Sequence, residues 1–265
     1  MNILDTIIAQ KRIEVAERKA IRSVEDLRNE PLFTRAIRSL KQSLLDPSKT
    51  GIIAEYKRKS PSKGLINGTA TVEEVTAAYT SNGASGLSVL TDGPFFGGSI
   101  NDLVAANIND IPILRKDFMI DEYQLVEARA FGADVILLIA ACLSPKEVRQ
   151  LAVKAKELGL EVLLEIHNEA ELEHICAEVD LVGINNRNLK DFEVDINKSM
   201  QLLGMLPANK PAIAESGIQN VDTIVTLQQA GFKGFLMGER FMKASNPSIA
   251  FADFVTQLKA KQDAG

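Results

Sequence analysis

From residue 51 onward, short apolar, β-branched runs alternate with longer stretches in which apolar positions recur every three or four residues. The short runs fall at 52–57, 86–90, 113–116, 135–139, 162–166, 181–185, 212–215 and 235–238. They predict strands. The longer stretches predict helices at 71–82, 100–108, 121–131, 144–158, 168–178, 196–205, 220–230 and 247–261. Thr71, Ser144 and Asn168 stand where helix N-caps belong, each followed by glutamates in the first turn. Gly83, Gly132, Gly159 and Gly231 fall just past helix ends, where the chain needs a residue that tolerates a left-handed turn. Eight strand–helix units predict an α/β fold, a (β/α)8 TIM barrel. A doubly wound open sheet is the alternative, but it usually carries a glycine turn after its first strand, and residues 56–60 contain no glycine. Upstream, Leu4, Ile7, Ile8 and Val15 give residues 3–19 one apolar stripe, and a second helical stretch runs from 33 to 45. Both precede the alternation. We read residues 1–265 as a single barrel domain in which 1–46 form an N-terminal helical extension, packed outside or over one end and carrying no chemistry.

Composition narrows the function. Hydrophobic residues make up 46% and charged residues 25%, as in an ordinary globule. The net charge of -5 disfavours a nucleic-acid partner. Cys142 and Cys176 form no CxxC and no cluster with His167 or His174, which argues against a disulfide framework and a zinc site. Cys142, His167 and His174 are read as structural. No apolar run reaches the ~18 residues that span a bilayer, and Asp5, Glu14 and Glu17 are out of place in a targeting peptide. The expectation is a cytoplasmic protein with a small-molecule partner, no nucleic acid and no membrane.

Candidate chemistry collects where the predicted strands end, the rim that carries the site in barrels of this kind. Glu55 and Lys57 share a strand face with Ile53 and are followed by Ser60. Other strands end at Lys116, Glu165, Asn185 with Arg187 two residues on, Glu215-Ser216-Gly217 and Gly238-Glu239. Lysines beside carboxylates, without clustered histidines, suggest proton transfer rather than metal catalysis. A salt-bridge ring closing the barrel mouth is the structural alternative. Ser216, Gly217 and Gly238 follow the last two strands, where barrels often hold phosphate on backbone N–H groups. Glu239 is expected to offer only its backbone there and to turn its carboxylate away. Residues 58–70 form a long loop of the kind that closes over substrate. Phe95, Phe96 and Phe118 either stack on an aromatic substrate ring or plug the barrel top.

These residues lie in the segments IIAEYKRKSPSKG, SVLTDGPFFGGS, ILRKDFMIDEYQ, LLEIHNEAEL, GINNRNL and AESGI, with ILDTIIAQKR near the N-terminus. Together they resemble the indole-3-glycerol phosphate synthase family over nearly the whole chain. The resemblance implies a decarboxylating, ring-closing lyase of tryptophan biosynthesis, without cofactor or metal, acting on a phosphorylated substrate; a monomer is expected. It implies Lys116 as general acid and Glu165 as catalytic acid/base. Lys57 would hold the substrate carboxylate, with Glu55, Asn185 and Glu215 completing the polar shell. Ser60, Phe118, Arg187, Ser216, Gly217, Gly238 and the Glu239 backbone would line the substrate. Family relatives carry serine where this chain has Glu239. Two other readings remain at this stage: a sugar-phosphate isomerase on a related barrel, and a catalytically silent partner subunit.

Overall fold

In the computed structural model, which describes residues 3–187 and 195–263, eight parallel strands close into a barrel. They are β1 (Ile52–Tyr56), β4 (Gly86–Leu90), β5 (Ile113–Lys116), β6 (Val135–Ile139), β7 (Glu161–Ile166), β8 (Leu181–Asn185), β9 (Ala212–Glu215) and β10 (Gly234–Met237). Each pairs with its sequence neighbour, and β10 pairs with β1 to close the ring. The expected strand positions hold to within a residue. Two more strands, β2 (Lys59–Ser60) and β3 (Gly64–Leu65), form a hairpin inside the long loop expected over residues 58–70. Arg58 anchors its base, gripping Asp102 with two hydrogen bonds of 2.5 and 2.8 Å and lying 5.0 Å over the Tyr56 ring.

The outer helices include α4 (Val72–Ser81), α5 (Ile100–Ala106), α6 (Glu122–Ala130), α7 (Pro145–Glu157), α8 (Ile196–Leu203), α9 (Val221–Ala230) and α11 (Pro247–Asp263). Thr71 and Ser144 cap as expected; Ser144 and Glu147 satisfy each other's backbone in a capping box. Asn168 does not cap. Its side chain donates to Glu171 Oε1 at 2.7 Å, and the segment behind it is a 3-10 helix over Glu169–His174 rather than an α-helix over 168–178. One of the two first-turn glutamates, Glu171, holds the side chains of His167 and Asn168. A four-residue helix, α10 (Glu239–Met242), follows β10 directly.

The extension comprises α1 (Ile3–Ile21), α2 (Val24–Arg28) and α3 (Leu40–Leu45). The stretch expected to be helical from 33 is helical only from Leu40. There Leu40 and Leu44 join Ile53, Leu114, Leu137, Leu163, Ile213 and Leu236 in the barrel's interior cluster, closing its lower end. A larger apolar layer lies between the strands and the outer helices. The period of two along a strand then sets what stands above the interior layer. Two residues beyond Ile53, Leu114, Leu163 and Ile213 come Glu55, Lys116, Glu165 and Glu215. The alternation that fills the barrel with leucine and isoleucine therefore aims the next residue of the same face into its upper mouth.

Candidate active site

Every residue singled out at the strand ends lines one cavity of about 230 Å³ at that mouth. On its floor, Lys116 Nζ is 3.0 Å from Glu165 Oε2 and 2.9 Å from Glu215 Oε2. Asn185 Nδ2 donates to Glu165 Oε1 at 3.2 Å. On the neighbouring wall Lys57 pairs with Glu55 at 2.7 Å. The carboxylates reach these positions because two glycines leave room. A methyl group at Gly183 would stand 2.1 Å from Glu215 Oε1, and one at Gly238 would stand 2.8 Å from Glu55. Gly183 was not singled out in the sequence. Its face is fixed only once β8 and β9 are known to be neighbours, with Asn185 opposite Glu215.

The charges do not share one environment. Burial opposes the Lys116 ammonium, but the carboxylates of Glu165, Glu215 and Glu55 outweigh it and raise its pKa. Burial likewise pushes Glu165 up, but Lys116 and His167 pull it well below the usual carboxylate range. Glu215 goes the other way: burial and the nearby Glu165 prevail over Lys116 and carry it to about 7. The site therefore presents an ammonium, an ionised carboxylate and a carboxyl poised near neutrality within one contact network.

The far side of the cavity is apolar. Phe96 and Phe118 lie with ring centroids 6.0 Å apart, and both line the cavity; Phe95 does not. Ile3, Leu4 and Ile7 of α1 also line it. The extension, expected outside or over one end of the body, thus contributes apolar lining to the cavity. What the sequence concealed is the anchor, Lys11. It is buried, and its Nζ lies 2.8 Å from Asp92 and 3.0 Å from Asp117, acids on two different βα loops.

The third wall has the features of an anion site. Ser216 and Gly217 both have positive φ, 66° and 75°, and Ser216 is the non-glycine residue with that geometry among those described. A side chain held in this conformation costs energy that the surroundings must repay. Asn186 does so in part, donating to the Ser216 carbonyl at 2.8 Å. Arg187 sits beside this turn, its Nη1 3.3 Å from Ser62 Oγ. The Ser60 hydroxyl is buried with no hydrogen-bond partner among the described residues. Glu239 is among the lining residues, and its carboxylate lies 3.6 Å from Arg187 Nη2, whose guanidinium offers it a counter-charge. Asn188 and Leu189, which end one of the matching segments, lie outside the described residues. His167, read as structural, contacts Glu165 directly at 3.2 Å.

Fold and site together define a (β/α)8 barrel with lysine–glutamate pairs gathered in a cavity at the strand ends. The comparisons agree and are more specific. A model of indole-3-glycerol phosphate synthase matches residues 4–254. The indole-3-glycerol phosphate synthase of Bacteroides thetaiotaomicron is 48% identical over 259 residues, covering 97% of this chain and 99% of that protein. That of Polaromonas sp. is 43% identical, with 95% and 97% covered, and that of Bordetella pertussis 41%, with 96% and 99%. Among solved structures, tryptophan synthase subunit alpha from Legionella pneumophila superposes with a TM-score of 0.65 at 12% identity, covering 87% of this chain and 100% of that one. At that identity the likeness concerns the barrel alone. The chain belongs to the indole-3-glycerol phosphate synthase family, the carboxy-lyases that form the indole ring in tryptophan biosynthesis.

Proposed function

We propose that the cavity holds 1-(2-carboxyphenylamino)-1-deoxyribulose 5-phosphate and that its residues divide the reaction as follows. The anilino ring lies between Phe118 and the apolar residues of α1, and the phosphate lies against Arg187, Ser216, Gly217 and Gly238. Lys57, steadied by Glu55, holds the ring carboxylate. The carboxylate-bearing ring carbon attacks the sugar carbonyl, and Lys116 gives that oxygen a proton as the carbon–carbon bond forms. Carbon dioxide then leaves and its bonding electrons restore the ring. Last, the hydroxyl departs as water with a proton from an acid, while Glu165 removes a proton from the ring system; indole-3-glycerol phosphate remains. Asn185 and Glu215 hold Glu165 and Lys116 in place for both proton transfers.

The observation that carries this reading is Lys116, an ammonium held between two carboxylates on the cavity floor with a second lysine–glutamate pair on the adjoining wall. A buried cation with fixed partners needs little rearrangement to stabilise charge that develops on a carbonyl oxygen. The test is the appearance of indole fluorescence when purified protein meets the anilino substrate. Lys116→Ala is expected to lower kcat at least ~100-fold with the far-UV circular dichroism unchanged, since a positioned acid contributes about 10²–10⁴. Near-normal turnover would take Lys116 out of the mechanism. We further propose that the extension and the barrel act as one domain, since α1 supplies part of the cavity wall, and that the enzyme works as a cytoplasmic monomer.

A further inference from the structure

Lys116 treats its two carboxylate neighbours almost alike, at 3.0 and 2.9 Å. What distinguishes them lies on their other sides. Glu215 Oε1 is buried and has no hydrogen-bond partner among the described residues. Glu165 Oε1 faces both Asn185 Nδ2 and His167 Nε2, each at 3.2 Å. His167 follows β7 directly, and the strand period puts it on the same face as Glu165, one layer nearer the mouth. Its other nitrogen, Nδ1, is 3.2 Å from Glu171 Oε2, which also accepts the His167 backbone N–H at 2.7 Å. Glu171 is fixed in turn by Asn168, which donates to its other oxygen. The ring is therefore clamped from behind and presented to Glu165. It is not among the residues that line the cavity.

We propose that His167 is a positioning residue that decides which carboxylate beside Lys116 is the base: it gives Glu165 alone a second cationic neighbour, so the negative charge stays there and the proton shared by the pair stays on Glu215. This rests on the reading of Glu165 as the catalytic base. With a carboxylate against each ring nitrogen, the protonation state that satisfies both is the imidazolium. Nε2 meets Glu165 at ion-pair distance without the alignment of a hydrogen bond, so charge rather than a directed bond carries the interaction. Burial opposes that charge, but Glu165 and Glu171 outweigh it and raise the histidine to about 10. The other ionisable groups around the pair are Lys116 and Glu55, which bear on both carboxylates' neighbourhood, and Cys142, whose thiol burial keeps neutral. Two like acids that share one cation titrate as a unit, and an asymmetric third charge splits their roles.

The test is the pH dependence of kcat in wild type, His167→Gln and Glu165→Gln. Glutamine keeps a donor but removes the charge. His167→Gln is expected to lower kcat about tenfold at pH 6, where the pair holds one proton that now spends time on Glu165. The loss should shrink above about pH 8, where both carboxylates are ionised. A loss equal at pH 6 and 8.5, or no loss, overturns the inference. Glu165→Gln must be nearly inactive at both; if it turns over normally, the reading of Glu165 fails first and the inference with it. A second measurement needs no variant. The chain has two histidines, so the imidazole proton signals in NMR are few. One must remain an imidazolium past pH 8, and two midpoints near 6.5 would overturn the proposal.

Discussion

Glu215 shows how far one side chain's chemistry is set by its surroundings. A glutamate at a strand end is by default ionised at neutral pH, yet burial and the neighbouring Glu165 lift this one to about 7. Below that value the site carries one negative charge fewer. Above it, the extra carboxylate faces a substrate that already brings a phosphate and a carboxylate. We therefore expect kcat/KM to fall as pH rises through about 7, and the fall to disappear in Glu215→Gln, read from the profile under low-substrate conditions. The same shift bears on stability. A carboxyl raised on folding favours the native state below its unfolded value, and that contribution is lost as pH climbs through the folded one. Wild type should thus lose more stability than Glu215→Gln between about pH 4.5 and 7 in urea titrations. At this scale the residue types were legible in the sequence: Glu55, Lys57, Lys116, Glu165 and Glu215 all meet in the cavity. Their individual charge states were not, because each depends on neighbours from other strands. The pairing of Glu239 with Arg187 was hidden for the same reason; nothing near Glu239 in sequence announced Arg187 as its partner.

Among the elements, α1 gained most from the structure. Its stripe of apolar positions suggested a helix seeking a surface, and Ile7 and Val15 are indeed buried. The sequence did not show that Ile3, Leu4 and Ile7 face the cavity, or that Lys11 is the pin that holds the helix there. Burial opposes the Lys11 charge, and Asp117 and Asp92 restore it, raising its pKa. Asp117 in turn meets Arg115, which reaches Glu127, so the network runs from α1 through the β5 tip to α6 on either side of Lys116. Removing the ammonium leaves Asp92 and Asp117 buried beside less positive charge. Lys11→Met is expected to cost about 3–5 kcal/mol in unfolding free energy. A cost below about 1 kcal/mol would mean that α1 is held by its apolar face alone. The β2–β3 hairpin was hidden for a simpler reason. Two-residue strands carry too few positions to display any period.

For the molecule as a whole, the described walls of the cavity come from α1, the hairpin and the strand tips of one chain. If one chain suffices, sedimentation equilibrium should return a mass near 28.9 kDa, and specific activity should not depend on enzyme concentration. A doubled mass with activity lost on dilution would contradict the proposed monomer. The sequence by itself determined the barrel, its strand order in the chain and the residue types at its rim. Those follow from local periodicity and from the rule that polar groups follow apolar runs at strand ends, and both act within a few residues. Tertiary structure alone decided that Gly183 makes room for Glu215, that His167 serves Glu165 rather than the core, and that α1 closes the cavity. The first needs β8 paired with β9, the last needs Lys11 to reach acids on two βα loops, and the histidine's charge depends on Glu165 and Glu171 packed against it; in a buried site each such neighbour counts for more than it would in water.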